Sequence, residues 1–221
     1  MDGNGRWATA RGLKRSEGHR AGTETVDKLL EHLIKIKIPY VSLYAFSTEN
    51  WRRPRAEIGA LFSLLDEFIK TRLTKMIANG VRIVTSGDIS RLPKKTRELL
   101  ADAIKKTARN KKLTANFCLN YGARDEIHRA AVSFAEAERG KKTIRIPTEK
   151  QFRKLLWQPD LPDVDLLVRT AGELSLSNFM LYQAAYAELV FTDKTWPDFS
   201  DADVDAAIAE FGRRKRKFGA L

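Results

Sequence analysis

Cysteine and histidine are scarce in this 221-residue chain, which has one cysteine and three histidines. The single thiol, Cys118, excludes a disulfide framework and a thiolate metal cage. The histidines lie far apart, at positions 19, 32 and 128, which disfavours a histidine-rich metal site. The lone thiol and the lack of an apolar N-terminal segment together predict a cytoplasmic protein.

Long apolar runs are also missing. The stretch 174–192 contains Ser, Asn, Gln and Tyr residues together with Glu188, so it is not a bilayer span. Hydrophobic residues nevertheless make up 43% of the chain and charged residues 31%, which excludes a disordered or collagen-like protein. The length suits a single domain over residues 1–221.

Positive charge is in excess, with 40 Lys and Arg residues against 28 Asp and Glu and a net charge of +12. Such a balance predicts an anionic partner, which is a nucleic acid, an acidic membrane surface or a phosphorylated substrate. Carboxylates are interleaved with the basic residues and no nucleic-acid motif is present, so a nucleic acid is the least favoured of the three.

Helical and β-prone patterns alternate along the chain. Helical patterns cover 20–36, 54–76, 93–108, 124–137 and 178–186, with a short helix capped by Thr148 and a final one capped by Ser200. Apolar β-prone runs cover 40–46, 81–84, 113–119, 164–168 and 189–191. Strands separated by helices of this length predict an α/β fold with a central, mostly parallel sheet flanked by helices.

The first residues, Asp2-Gly3-Asn4-Gly5-Arg6, are rich in glycine. Successive backbone N–H groups of such a run can turn towards one anion, and Arg15 and His19 can add contacts to phosphate oxygens. Asp2 would repel a phosphate unless a cation lay between them, and Mg²⁺ binds through one or two carboxylates plus substrate phosphates. The residues alone also permit an ordinary glycine-rich turn with surface arginines.

Four ordered motifs make the chain similar to one family. They are MDGNGRWATARGLKRSEGHRAG at 1–22, the run 42–51 followed by Arg53, Pro54 and Glu57, Asn120-Tyr121-Gly122, and the stretch 165–199. Together they resemble the cis-prenyltransferases, whose bacterial type is undecaprenyl diphosphate synthase. The resemblance implies an Mg²⁺-dependent transferase that adds isopentenyl diphosphate to an allylic diphosphate and leaves each new double bond cis. The Asp-Asp-x-x-Asp motif of trans-prenyltransferases is absent.

The resemblance also implies roles for individual residues. Asp2 would be the Mg²⁺-associated catalytic carboxylate, and Asn50 a catalytic residue near the reacting groups. Glu188 would approach the Mg²⁺ site from the neighbouring subunit of a homodimer. Further residues implied to bind substrate, chiefly around the allylic diphosphate, are Gly3, Asn4, Gly5, Arg6, Trp7, Arg15, His19, Ser47, Thr48, Glu49, Trp51 and Arg53.

The second diphosphate, that of isopentenyl diphosphate, would be bound by Arg169, with Ser175 and Ser177 beside it. The family carries a second arginine where this chain has Ser175, whereas Ser177 matches the family. Losing one charged hydrogen-bond donor costs about 1.5–3 kcal/mol, or roughly ten- to a hundredfold in affinity. This departure supports an alternative, a catalytically weak subunit that binds an active homologue.

The apolar stripe from Ile58 to Met76 predicts a core-facing helix. The resemblance makes the same helix one wall of a hydrophobic tunnel that receives the growing prenyl chain. It also implies a strand immediately before Asp2, so that the first strand of the sheet is missing from this chain. The implied product is undecaprenyl diphosphate or a shorter polyprenyl diphosphate, a lipid carrier for cell-wall synthesis. It would be made in the cytoplasm, in peripheral contact with the inner face of the membrane.

Overall fold

A computed structural model describes residues 1–143 and 145–217. In these ranges the helices are α1 (Asn4–Thr9), α2 (Arg15–Lys35), α3 (Arg55–Ala78), α4 (Lys94–Thr107), α5 (Ala123–Glu138), α6 (Glu149–Arg153) and α7 (Asp201–Arg213). The strands are β1 (Tyr40–Ser47), β2 (Val81–Ser86), β3 (Leu113–Tyr121), β4 (Leu166–Arg169) and β5 (Glu188–Phe191). None of the helices in the described ranges combines the length and the hydrophobicity needed to cross a bilayer.

Every strand pairing is parallel, which confirms the predicted α/β fold with parallel strands flanked by helices. Hydrogen bonds divide the strands into a sheet of order β1-β3-β2 and a pair, β4-β5. In the larger sheet Tyr40 pairs with Thr114 and Val81 pairs with Leu113, so the N-terminal ends of the three strands are level. The strand implied before Asp2 stays a prediction.

The middle strand, β3, separates two clusters of buried side chains. Leu119 packs into the larger cluster, which α2, α3 and α4 cover, while the preceding Cys118 packs into a smaller cluster with Met180. Because successive side chains of a strand point to opposite faces, β3 is buried on both sides. This burial explains why its sequence is a nearly continuous apolar run.

Three elements differ from the predicted pattern. The segment 178–186 forms turns rather than a helix, because Asn178 and Met180 have φ angles of 63° and 44°, in the left-handed region. Helix α1 was not predicted, since it buries only Ala8 and so has no apolar periodicity. Helix α2 begins at Arg15, five residues before the first residue of the predicted helix, because its first turns are polar.

Candidate active site

Polar side chains gather where β1 and β4 end, at the carboxyl edge of the sheets. β1 leads into the turn Thr48–Arg52, and β4 ends at Arg169. The first residues of the chain reach the same place, because Trp196 N donates to the Asp2 carbonyl at 2.8 Å. In α/β folds this edge is the usual place for ligands. We call this group of polar residues the mouth, because an apolar cavity lies behind it.

The backbone of Asp2 is held by Thr170, the residue after β4. The Asp2 N–H donates to Thr170 Oγ1 at 2.9 Å, and the Thr170 hydroxyl donates to the Asp2 carbonyl at 3.0 Å. Thr170 is only 2% exposed. Sequence reasoning assigned it no role, although it directly follows Arg169 in the fourth motif. Thr170 thus bonds only the backbone of Asp2, and the Asp2 side chain remains available for other contacts at the cavity wall.

Two glycines allow the first residues to lie this close to the rest of the protein. Gly3 has a φ of 95°, and a Cβ atom there would lie 2.9 Å from the Cβ atoms of Ala171 and Thr195. A Cβ atom at Gly18 would overlap the carbonyl oxygen of Asn4, so Gly18 lets α1 pack against α2. These glycines are therefore required by close packing, whatever part the backbone of residues 3–5 plays in binding an anion.

One half of the mouth, the His19 half, consists of Asn4, Arg15, His19, Arg53 and Glu57. Asn4 Oδ1 and His19 Nε2 are buried without a hydrogen-bond partner among the described residues. Burial lowers the pKa of His19, and the neighbouring positive charge of Arg53 lowers it further. An unsatisfied buried polar atom costs about 1–3 kcal/mol, so these atoms are suited to a polar ligand.

Glu57 orients the two guanidinium groups of this half. It accepts a hydrogen bond from Arg53 Nη1 at 3.0 Å and lies 3.9 Å from Arg15 Nη2. Arg15 in turn lies beside Gly5, where a Cβ atom would be 3.1 Å from its Cζ. The predicted residues Gly5, Arg15, His19 and Arg53 are thus brought together by α1, α2 and the short segment between the turn Thr48–Arg52 and α3.

The turn after β1 orients Asn50. Ser47 N donates to Asn50 Oδ1 at 3.1 Å, and both residues line the cavity together with Glu49. Glu49 accepts a hydrogen bond from Asn178 Nδ2 at 2.9 Å. Asn178 was not predicted as a site residue, and it also lies beside Thr48 at Gly122. It therefore links the turn to the loop that follows Arg169.

Arg6, Trp7 and Trp51, which are predicted to bind substrate, also make contacts within the protein. Arg6 donates to Glu173 at 2.9 Å, and the indole of Trp7 donates to Asp198 at 2.8 Å. The Trp51 indole donates to Asn120 Oδ1 at 2.7 Å. These bonds anchor α1 and the turn after β1, and direct substrate contacts of the three residues stay predictions.

The other half of the mouth, the Arg169 half, consists of Asp2, Arg169, Ser175 and Ser177. Arg169 Nε donates to Asp2 Oδ2 at 3.1 Å. Its Nη1 contacts the Ser175 carbonyl, Ser175 Oγ at 3.0 Å and Ser177 Oγ at 2.6 Å. The structure thus brings together the residues predicted to hold the second diphosphate, and Ser175 lies in direct contact with Arg169.

Glu188 lies away from this mouth within one chain. It pairs with Leu166 at the start of β4–β5, whereas Arg169 pairs with Phe191 at the other end. Its carboxylate binds Arg214 at 3.0 Å. The predicted approach of Glu188 to a metal in the neighbouring subunit stays a prediction.

The mouth fits a metal ion that arrives with its substrate. In the part of the chain that the structure describes, no three His, Cys, Asp or Glu side chains are grouped to hold a metal. Mg²⁺ commonly binds through one or two carboxylates plus substrate phosphates. Asp2 is 46% exposed and uses Oδ2 to bind Arg169, which leaves Oδ1 for such an ion.

Apolar space lies behind the mouth. A cavity of about 940 Å³ extends between β1 and β4 and is lined also by α2 and α7, through residues such as Leu29, Leu33 and Phe211. A smaller one of about 130 Å³ lies between α2 and α3 and is lined by Val26, Leu65 and Phe68. Met1, Asn4 and His19 border both cavities. An apolar chain attached to a group at the mouth would therefore have room on either side of β1.

This chain is similar in sequence to known proteins over almost its whole length. The family model Prenyltransf, described as "Putative undecaprenyl diphosphate synthase", matches residues 1–219. An isoprenyl transferase of Leptospira interrogans is 51% identical over 100% of this chain and 92% of its own length. One from Clostridium perfringens is 43% identical over 100% of this chain and 88% of its own length.

A solved structure is also similar to this chain. Lavandulyl diphosphate synthase from Lavandula x intermedia, in complex with dimethylallyl diphosphate, superimposes with a TM-score of 0.93 at 29% identity. The match covers 99% of this chain and 95% of that one. The chain belongs to the undecaprenyl diphosphate synthase family of isoprenyl transferases. It is therefore a prenyl-transferring enzyme, as the sequence motifs predicted.

Proposed function

We propose that this chain is an Mg²⁺-dependent cis-prenyltransferase. It condenses isopentenyl diphosphate with an allylic diphosphate such as farnesyl diphosphate, and the product is undecaprenyl diphosphate or a shorter polyprenyl diphosphate. The observation that carries the proposal is the bond between the Asp2 carboxylate and the Arg169 guanidinium at the mouth of a large apolar cavity. A carboxylate, several cations and apolar space are the groups that such substrates require.

The allylic diphosphate binds in the His19 half. Arg53 and Arg15 supply positive charge, and the side chains of Asn4 and His19, each with a buried polar atom that lacks a partner among the described residues, line the same cavity. A His19 tautomer that carries its proton on Nε2 donates to a phosphate oxygen, and the Asn4 amide can turn to do the same. The prenyl tail then extends into the apolar cavities, where water is excluded.

Isopentenyl diphosphate binds in the Arg169 half, with its phosphates exchanging for the contacts that Arg169 now makes with Ser175 and Ser177. The allylic carbon–oxygen bond breaks, its electron pair leaves with the diphosphate, and the double bond of isopentenyl diphosphate attacks the allylic carbon. Mg²⁺ supplies charge neutralisation for the departing diphosphate when it is bound at Asp2. The coupled cation then loses a proton to the departed diphosphate, and Asn50, which Ser47 orients in the wall of the cavity, can guide this transfer.

The working unit that we propose is a homodimer. Glu188 is already ordered by Arg214 on the β4–β5 sheet, and in the dimer it would approach the metal of the other protomer. Product release would take place at the cytoplasmic face of the membrane, because the polyprenyl tail is apolar while both diphosphate substrates are water-soluble.

The test is incubation of the purified chain with radiolabelled isopentenyl diphosphate, farnesyl diphosphate and Mg²⁺, followed by chromatographic sizing of the products. We expect polyprenyl products that disappear when EDTA is added. Activity that is unchanged by EDTA would contradict the metal requirement. No product alone, with strong stimulation of an added active homologue, would instead establish the catalytically weak partner subunit that Ser175 suggests.

A further inference from the structure

The edge of the β1-β3-β2 sheet opposite the mouth carries a cluster of exposed cations. We call this cluster the lower rim, and it consists of Lys35, Lys37, Arg109, Lys111 and Lys112. The loops that carry these residues are neighbours at the N-terminal ends of the strands. Thr114 N donates to the Pro39 carbonyl at 2.8 Å, and Lys112 N donates to the Gly80 carbonyl at 3.0 Å. The five cations therefore share one surface.

The charge of the lower rim is not compensated by the protein. Within residues 1–143 and 145–217, none of its five side chains forms an ion pair or a hydrogen bond. Two acidic residues of the same helices already have other partners, because Glu31 of α2 binds Lys75 and Asp102 of α4 binds Lys106. At the mouth, by contrast, carboxylates are paired with the arginines. The lower rim is thus a patch of five exposed cations whose side chains form no ion pair among the described residues.

Apolar surface accompanies this charge. Tyr40, the first residue of β1, is 47% exposed, and Ile77, near the end of α3, is 38% exposed. Tyrosine, with an apolar ring and a polar hydroxyl, is enriched at membrane–water interfaces. The larger cavity also reaches this edge, where Ile38, Pro39 and Tyr40 line it. This edge of the sheet therefore combines the cations of the lower rim, two exposed side chains suited to a membrane interface and one end of the apolar cavity.

We propose that the lower rim binds the surface of an anionic lipid bilayer. Its lysines and arginine attract anionic headgroups, while Tyr40 and Ile77 insert at the headgroup level. This orientation places the mouth in water, where the diphosphates are, and the far end of the cavity against lipid. The contact between lipid and the far end of the cavity rests on the proposed function, because only an apolar product needs to leave the cavity into lipid. The rest of the proposal does not depend on that function. The exposed apolar residues favour a lipid surface over a nucleic acid, which the same charges would also attract.

The test measures sedimentation of the full chain with vesicles in the absence of substrate. We expect binding to vesicles that contain phosphatidylglycerol, little binding to pure phosphatidylcholine, and a decline as salt is added. The double variant Lys37→Glu/Lys111→Glu is expected to weaken binding by at least about tenfold. The matched control is Lys94→Glu/Arg97→Glu, which changes the net charge equally at the other end of α4.

Three results would overturn the proposal. They are undiminished vesicle binding by the lower-rim variant, an equal loss in the control variant, and tighter binding to duplex DNA than to the anionic vesicles at the same salt. A further variant, Tyr40→Ser, is expected to reduce the binding that remains at high salt, since that part is apolar.

An assay in detergent with short substrates separates this proposal from the proposed function. The lower-rim variant should keep wild-type turnover there, because its substitutions lie at the edge opposite the mouth. A wild-type chain that bound vesicles but had no turnover would contradict the proposed function alone.

Discussion

The two halves of the mouth differ in how their polar groups are partnered. In the Arg169 half, the guanidinium is already bound to Asp2, Ser175 and Ser177. In the His19 half, Asn4 Oδ1 and His19 Nε2 are buried and lack partners among the described residues. A diphosphate entering the first half must replace existing hydrogen bonds, whereas one entering the second half satisfies atoms that have none.

The two halves are also built on different backbones. The His19 half rests on α1 and α2, which pack closely at Gly18. The Arg169 half rests on a loop in which Ala171, Ser177 and Asn178 have φ angles of 69°, 47° and 63°. Such angles are costly for residues with a Cβ atom, so the surrounding contacts must hold the loop in place. We therefore expect the His19 half to be preformed, whereas the hydrogen bonds of the Arg169 half must rearrange when a substrate binds there.

The largest expected effect is that of Asp2→Asn, which removes the negative charge that binds Arg169 and that we propose to hold Mg²⁺. We expect turnover to fall by about a hundredfold or more. The melting temperature should change little, because Thr170 and Trp196 bind the backbone of Asp2 rather than its side chain. Asp193→Asn, at an exposed site near Gly172, is the control and should keep normal turnover. Turnover within twofold of the wild type would contradict the catalytic role of Asp2.

Thr170→Val should have the next largest effect, since it keeps the side-chain shape but removes the hydroxyl that bonds the Asp2 backbone twice. We expect a loss of about 1–3 kcal/mol in the free energy of unfolding. Turnover should fall about tenfold with little change in KM, because Thr170 positions Asp2 without touching substrate. Thr170→Ser should restore turnover. Equal turnover in the valine and serine variants would show that the hydroxyl does not position Asp2.

Ser175→Arg tests the Arg169 half of the mouth, since it adds a cation there. We expect KM for isopentenyl diphosphate to fall about tenfold, while KM for the allylic substrate stays the same. Ser175→Ala removes only a hydroxyl and should change either KM by less than about threefold. An unchanged KM in the arginine variant would mean that another group already supplies the missing charge.

The smallest expected effect concerns His19 and pH. Burial, aided by Arg53, lowers the pKa of His19 below its ordinary value of 6.5. At a pH between the lowered pKa of His19 in the folded chain and 6.5, His19 binds a proton more readily in the unfolded chain. The free energy of unfolding therefore rises with pH through this window and falls on acidification below 6.5.

Denaturant unfolding at about pH 7.5 and about pH 5.5 measures this effect. Between these two pH values, the free energy of unfolding of the wild type should fall by up to about 1 kcal/mol more than that of His19→Gln. The exposed His128 provides a control, because His128→Gln should lose as much as the wild type. An identical loss in His19→Gln and the wild type would contradict the buried, neutral state of His19.

Much of the fold follows from local sequence pattern. The long helix after Pro54 and the apolar strands that begin at Tyr40 and Leu113 were predicted within a few residues of their observed bounds. Their periodicity is strong because each packs extensively against the core. Helix α1 buries only Ala8 and carries no such signal. The helical pattern at 178–186 was misleading, because the left-handed φ angles of Asn178 and Met180 turn the chain there.

Four short motifs, at 1–22, 42–57, 120–122 and 165–199, were enough to indicate the family and most of the mouth, because the residues that contact a diphosphate must have particular chemistry. The pairing of those residues required the folded chain. Thr170 meets Asp2 across 168 positions, and Arg169 bonds Asp2 rather than standing free. Hydrogen bonds between distant residues depend on how β4, α1 and α2 pack, and no local pattern encodes that packing. The lower rim likewise arises only when two connections, separate in sequence, meet at the N-terminal ends of the parallel strands β1 and β3.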